Sequence, residues 1–195
     1  LSGAARTGTY IYDPRKSRAQ LDSLGVRDLT MKIIWESGEF PADAFVMEAV
    51  VEMLRDVGVA AELQQFEPGG NILQWRQGRG GDWDVLGNGY PGPTGQAITT
   101  LLGMYGGTPE KERTRDTYQG YVVPAIADQI GAAAAEIDPD RRTQLLTEVQ
   151  QKIWDTWPCL WAFVPNVVLA RRTRVHGVRL QPINSYDIES VRVED

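Results

Sequence analysis

The sequence predicts an α/β fold, a mixed sheet flanked by helices, and three observations carry that expectation. Residues 28–67 read as strand, helix and strand, with an amphipathic helix between two short apolar runs. A third apolar run, "WDVLGN", follows a short helical stretch. Beyond it come two further helical patterns and a tail of extended segments. Strand–helix–strand in so few residues favours a parallel pair joined by a crossover helix.

The elements follow in order. In "YDPRKSRAQLDSLGV", Asp13 is an N-cap, Pro14 takes the first helical position and Gly25 is the stop. "DLTMKIIWES" is a strand in which Leu29, Met31, Ile33 and Trp35 share one face. "FPADAFVMEAVVEMLRDVGV" is the clearest helix: Val46, Val50, Met53, Leu54 and Val57 form a stripe that Gly58 ends. "VAAELQQFE" is the next strand, with Val59, Ala61, Leu63 and Gln65 on one face. "GGNILQWRQGRG" reads as a short helix, and residues 87–95 and 106–120 as loops. "VVPAIADQIGAAAAEI" is a helix that Pro124 and Gly131 weaken. "DPDRRTQLLTEVQQKIWDTW" is capped by Asp138 and stopped by Pro158, with Leu145, Leu146, Val149, Ile153, Trp154 and Trp157 on its apolar face.

Composition narrows function. Among 195 residues, 20 basic and 26 acidic side chains give a formal net charge of −6. That balance argues against non-specific nucleic-acid binding. No apolar run approaches the roughly 18 residues of a membrane span. One cysteine, Cys159, and one histidine, His176, exclude an intrachain disulfide and multi-histidine metal sites. Cys159 reads as a buried thiol and His176 as a surface residue; no metal site and no cofactor are expected. Leu1 is followed by no basic and apolar leader pattern, so no signal peptide is visible, and the start reads as processed or truncated.

"LGNGYPG" carries Gly87, Gly89 and Gly92 in the spacing G-x-G-x-x-G after a strand. A dinucleotide turn needs a helix opening on those glycines to aim free N–H groups at a pyrophosphate. Here Pro91 and Pro93 remove donors, and no helical pattern resumes until about Gln96. The turn reads instead as a stiff, exposed strand tip suited to touching a ligand or a second domain. Its candidate ligand contacts are Asn88, Gly89 and Tyr90, with Trp35 and Trp83 on the adjoining strands. Glu36 and Glu39 read as a solvated loop, Asp82 and Asp84 as a polar strand face, and Trp154, Trp157 and Trp161 as core.

The order of these segments resembles one family, the extracytoplasmic solute-binding proteins of peptide-, dipeptide- and nickel-type ABC importers. "YDPRKSRAQLDSLGV" is similar to its Tyr-Asp-Pro helix, residues 31–67 to its strand–helix–strand, and "GDWDVLGNGYPGP" to its strand running into a Tyr-Pro-x-Pro turn. "DPDRRTQLLTEVQQKIWDTWPCLWAF", "RVHGVRLQP" and "YDIESVRVED" resemble its penultimate helix and closing segments, so the likeness runs from about Tyr10 to the C-terminus. The resemblance implies a periplasmic-binding-protein-like (type II) lobe, incomplete without an N-terminal lobe. Residues 1–195 would be the C-terminal lobe region, with 166–195 returning toward the missing lobe. It implies no catalysis, a small-molecule or peptide-like solute caught by lobe closure, a membrane permease as partner and an extracytoplasmic location. Peptide-binding members commonly carry Asp before the turn Tyr, where it pairs with the peptide's amino terminus. Gly89 stands there, and Gly92 stands where Asp is frequent, which disfavours free-amine peptides and favours a sugar, a modified peptide or another polar solute. The competing readings are a small α/β hydrolase or transferase, against which no G-x-S-x-G or P-loop is found, and a solute-sensing module.

Overall fold

The structure is a computed structural model that describes residues 11–90, 92, 94, 96–106, 124–181 and 185–194. The expectations placed on the loop 107–120, on Pro91 and Pro93, and on Val122 and Val123 lie outside these residues. Helix α1 (Pro14–Ser23) starts as predicted, the Asp13 carboxylate accepting from the Lys16 N–H at 2.9 Å. It buries none of its residues.

Strands β1 (Thr30–Glu36) and β2 (Ala60–Phe66) are parallel, paired from Thr30 with Ala60 to Glu36 with Phe66, and helix α2 (Asp43–Asp56) connects them. Helix α3 (Ile72–Arg76) leads to β3 (Val85–Gly87), which lies parallel on the other side of β1. The sheet order is β2-β1-β3. β3 is shorter than "WDVLGN" because Asp84 leaves the ladder half-made: its backbone N–H donates to the Lys32 carbonyl at 2.9 Å, and its carboxylate accepts the Lys32 N–H at 2.8 Å.

Alternation along β1 sorts the core onto two faces. Ile33 and Trp35 pack with Met47 of α2, joined by Val50, Leu54, Ala61, Leu63 and Val85. Ile34 packs on the opposite face with Phe66, Ile72 of α3, Trp75, Trp83 and Leu86. The connections after β1 and after β2 therefore cover opposite faces of the sheet.

A second core is helical. It joins α4 (Ala97–Tyr105), α5 (Pro124–Ala135) and α6 (Pro139–Thr156) through Leu101, Tyr105, Ile126, Ile130, Ala133, Leu146, Val149 and Ile153. Sequence reading gave α4 only as a resumption of helical pattern near Gln96. Its β-branched run Ile98–Thr99–Thr100 and the lack of a side-chain cap at Gln96 make it a weak helix by local rules. Burial of Leu101 and Tyr105 against α5 and α6 supplies what propensity does not.

Helix α6 is capped as predicted, Asp138 accepting from the Arg141 N–H at 2.7 Å. Trp157 closes it in the left-handed region at φ 51°. Trp154, Trp157 and Trp161 do not make the core expected of them: Trp154 stacks on Trp161 at 5.4 Å, but Trp157 and Trp161 are exposed. Cys159 is half-buried against the Tyr105 hydroxyl at 3.2 Å, and burial pushes its thiol up. The tail forms two antiparallel pairs, β4 (Val175–His176) with β7 (Arg192–Val193) and β5 (Arg179–Gln181) with β6 (Ser185–Asp187). Parallel and antiparallel pairing both occur, but in separate sheets. His176 meets Glu194 at 3.2 Å.

Candidate functional site

The order β2-β1-β3 reverses direction at β1: the chain steps outward to β2, then returns across β1 to β3. In such sheets the connections diverge to opposite faces and leave a crevice beyond the carboxyl ends of the two strands at the switch. Here those strands are β1, ending at Glu36, and β3, ending at Gly87. The segments that emerge are Ser37–Phe40 and Asn88–Tyr90.

They touch. The Gly89 N–H donates to Glu39 Oε2 at 3.4 Å, the long end of a hydrogen bond. A Cβ at Gly89 would stand 3.0 Å from the Glu39 carbonyl oxygen, a tight contact that glycine relieves. Glu39 is half-buried. Burial pushes its carboxyl above the ordinary range; the Gly89 N–H pulls it back, and the neighbouring Glu36 adds a smaller push. Beneath it, buried Asp43 accepts from the Gly38 N–H at 2.7 Å and the Ala44 N–H at 2.8 Å, fixing the turn that presents Glu39. The solvated-loop expectation for Glu39 is thus corrected. Sequence reading weighed it against its neighbours along the chain, whereas its partner lies 50 residues on.

Two other glycines, Gly87 and Gly103, serve packing. Gly87 sits opposite Trp35 in the ladder, and a Cβ there would overlap the Met47 thioether. Gly103 of α4 is covered by the Tyr90 hydroxyl, so Tyr90 leans on that helix.

Of the expected ligand contacts, Asn88, Gly89 and Tyr90 stand together at the switch point, all partly buried. Trp35 lies at the same level of the sheet but is 4% exposed, in the core under α2, and its indole N–H is buried with no hydrogen-bond partner among the described residues. Trp83 is not brought to them. It precedes β3, at the other end of that strand, where its N–H donates to the Trp75 carbonyl at 2.6 Å and its side chain packs against the cluster of Ile34, Phe66 and Ile72. Trp83 is a packing residue, because the register places its ring under α3. Two concavities between α1 and the sheet, lined by Leu21, Leu29, Val57 and Val59, open at the opposite end of the strands. Among the described residues no group of acidic, histidine or cysteine side chains has the arrangement of a metal site.

The chain is 23% identical over 181 residues to the glutathione-binding protein GsiB of Salmonella typhimurium, a match that takes in 91% of this chain and 35% of that protein. This chain is homologous to the family 5 solute-binding proteins of ABC importers. It spans about a third of the length of the curated relatives it matches. No family model matches it. The fold is similar to that of the oligopeptide-binding protein AppA of Bacillus subtilis, solved with a nonapeptide, at a TM-score of 0.74 and 15% identity over 98% of this chain and 39% of that one. NikA of Staphylococcus aureus, solved with Ni(L-His)2, gives 0.70 and 11% over 94% and 38%. These likenesses show a type II periplasmic-binding-protein fold, of which this chain carries part of a lobe.

Proposed function

We propose that these residues are the C-terminal lobe region of a longer, two-lobe extracytoplasmic protein that captures a small polar solute without turnover and delivers it to an ABC importer permease. Residues 166–195 would return toward the other lobe. The observation that carries the reading is the Glu39–Gly89 juncture: a half-buried carboxylate and a glycine-bared backbone meet at the switch point of the sheet, where α/β folds bind ligands. Glu39, Asn88, Gly89 and Tyr90 contact the solute, and Trp35 forms the floor beneath them.

The same juncture revises the ligand class. The sequence argument against free-amine peptides considered position 89 alone. Glu39 brings a carboxylate to the place where Gly89 leaves none, and an ammonium group held there is charge-paired. A peptide-like solute with a free amino group fits better than an oligosaccharide, and GsiB and AppA are by name binders of glutathione and oligopeptides.

A thermal-shift panel tests this: glutathione, short peptides with free or acetylated amino termini, and oligosaccharides, each assayed also for turnover. A ligand at about 100 times its Kd stabilises by roughly 2.7 kcal/mol. The expected result is a shift with free-amine peptides alone, no turnover, and affinity lowered about 10- to 100-fold by Glu39→Gln, the worth of a hydrogen bond to a charged group. A shift with acetylated peptides and sugars alike, or a solute that is converted, contradicts the reading.

A further inference from the structure

Asn71, Asn88, Asn166 and Asn184 are the asparagines of the sequence, and only Asn88 precedes a glycine. An asparagine side chain is an electrophile toward its own backbone. The nitrogen of the following residue can close on Cγ to form a cyclic succinimide, expelling the side-chain nitrogen. A side chain on that following residue obstructs the closure, and glycine has none. Proton transfer normally holds the reaction back: the backbone nitrogen must lose a proton and the departing NH2 must gain one.

The fold brings a proton carrier to this pair. The Gly89 N–H donates to Glu39 Oε2 at 3.4 Å, so the proton to be lost already faces an acceptor. Glu39 is half-buried, and burial holds its carboxyl above the ordinary range, which suits it to take a proton and give it back. Asp43 fixes the turn beneath through the Gly38 and Ala44 N–H groups, so the carboxylate is held in position. The Asn88 side-chain nitrogen is withdrawn from solvent, which leaves the protein to supply its departing proton. Asn88 and Gly89 as residues are only partly buried at the strand tip, within reach of water.

We infer that Asn88–Gly89 is a self-modifying site, at which Glu39 drives deamidation of Asn88. Glu39 takes the Gly89 amide proton, and the electron pair left on nitrogen forms a bond to Asn88 Cγ. The Cγ–Nδ2 bond breaks with its electrons on Nδ2, and Glu39 returns the proton so that ammonia departs. Water then opens the succinimide at either carbonyl, giving aspartate or isoaspartate. Nothing is oxidised or reduced, and Glu39 ends as it began. The product carries a carboxylate where Asn88 was neutral, next to the Glu39–Gly89 contact. The chemistry needs only the juncture and no solute, so it stands apart from the ligand reading.

Peptide mass spectrometry of the protein during incubation at neutral pH tests it. The peptide containing Asn88 should gain the mass that separates oxygen from NH, take up heavy oxygen from labelled water, and contain isoaspartate. Asn71, Asn166 and Asn184 are internal references, expected to change more slowly. Two comparisons isolate Glu39. A synthetic peptide of residues 84–92 has the Asn-Gly pair without the fold and should react more slowly than the protein. Glu39→Gln still accepts the hydrogen bond but does not take the proton, and should slow the reaction by about 100-fold, the lower end for a positioned acid–base group. Circular dichroism checks that this variant folds, and the peptide comparison needs no variant. An Asn88 that stays intact in the protein while the peptide reacts overturns the inference. So does a folded Glu39→Gln protein that reacts as fast or faster, since the Gly89 hydrogen bond would then protect the amide instead of activating it.

Discussion

Replacing Gly87 by alanine tests whether the glycine spacing serves packing. In an ordinary strand position the change helps, by about 0.4–1 kcal/mol through the unfolded chain. At Gly87 the new methyl group would overlap the Met47 terminal carbon, lie 2.9 Å from its sulfur and stand 3.3 Å from the Trp35 Cβ. Overpacking of a filled core costs about 1–3 kcal/mol, and a flexible methionine that swings aside holds the cost to the lower half of that range. The net expectation is a loss of about 1 kcal/mol, or about 2–4 °C in Tm for a chain of this size. Thermal unfolding followed by circular dichroism measures it. Met47→Ala opens space at the same contact, so the double variant should be less destabilised than the sum of the single changes, with a coupling of about 0.5–3 kcal/mol. A Gly87→Ala protein that is more stable than the parent, or a double variant that is merely additive, refutes the reasoning.

Other expectations follow from the same geometry. The Glu39 carboxyl titrates above its ordinary value of 4.5, so its favourable contribution is full below that pH and is lost as pH rises through the higher folded-state value. The Tm advantage of Glu39→Gln over the parent should therefore grow from acidic to neutral pH; an advantage that shrinks would contradict the sign. Asp43→Ala leaves the Gly38 and Ala44 N–H groups without their acceptor and should cost about 1–3 kcal/mol in chemical denaturation. Gly103→Ala should add helix propensity of about 1 kcal/mol to α4 yet push the Tyr90 hydroxyl away, so solute affinity falls while the helix gains. Ile130→Ala, fully buried where α5 meets the helical core, should cost about 2–5 kcal/mol.

The parts of the fold legible in the sequence are those whose signals are local. Asp13–Pro14 and Asp138–Pro139 announce helix starts by a side chain that reaches its own first turn, and the structure shows both caps closed. Ile33 and Trp35 against Ile34 announce two faces by alternation alone. α4 was hidden because its stability is tertiary. Trp157 fits the period of α6 but turns left-handed at its end, and Trp161, beyond Pro158, is exposed. At the proposed site, the nearness of Asn88–Tyr90 to one another follows from the glycine-rich strand tip itself. The place of Glu39 was not legible, because its meaning depends on β1 and β3 being neighbours, a pairing that no local pattern announces. Trp83 shows the converse: its strand is legible, but not the end of the strand at which it stands, apart from Asn88–Tyr90.

The central claim is that solute binds where Glu39 meets Gly89, and amide chemical-shift mapping of the isotope-labelled protein addresses it most directly. Titrated with whichever solute of the panel stabilises it, the protein should show its largest shifts at Glu36–Phe40 and Asn88–Tyr90, with the Trp35 indole N–H moving alongside them. Shifts gathered instead around Leu21, Leu29 and Val57, at the opposite end of the strands, would place the solute under α1 and contradict the account.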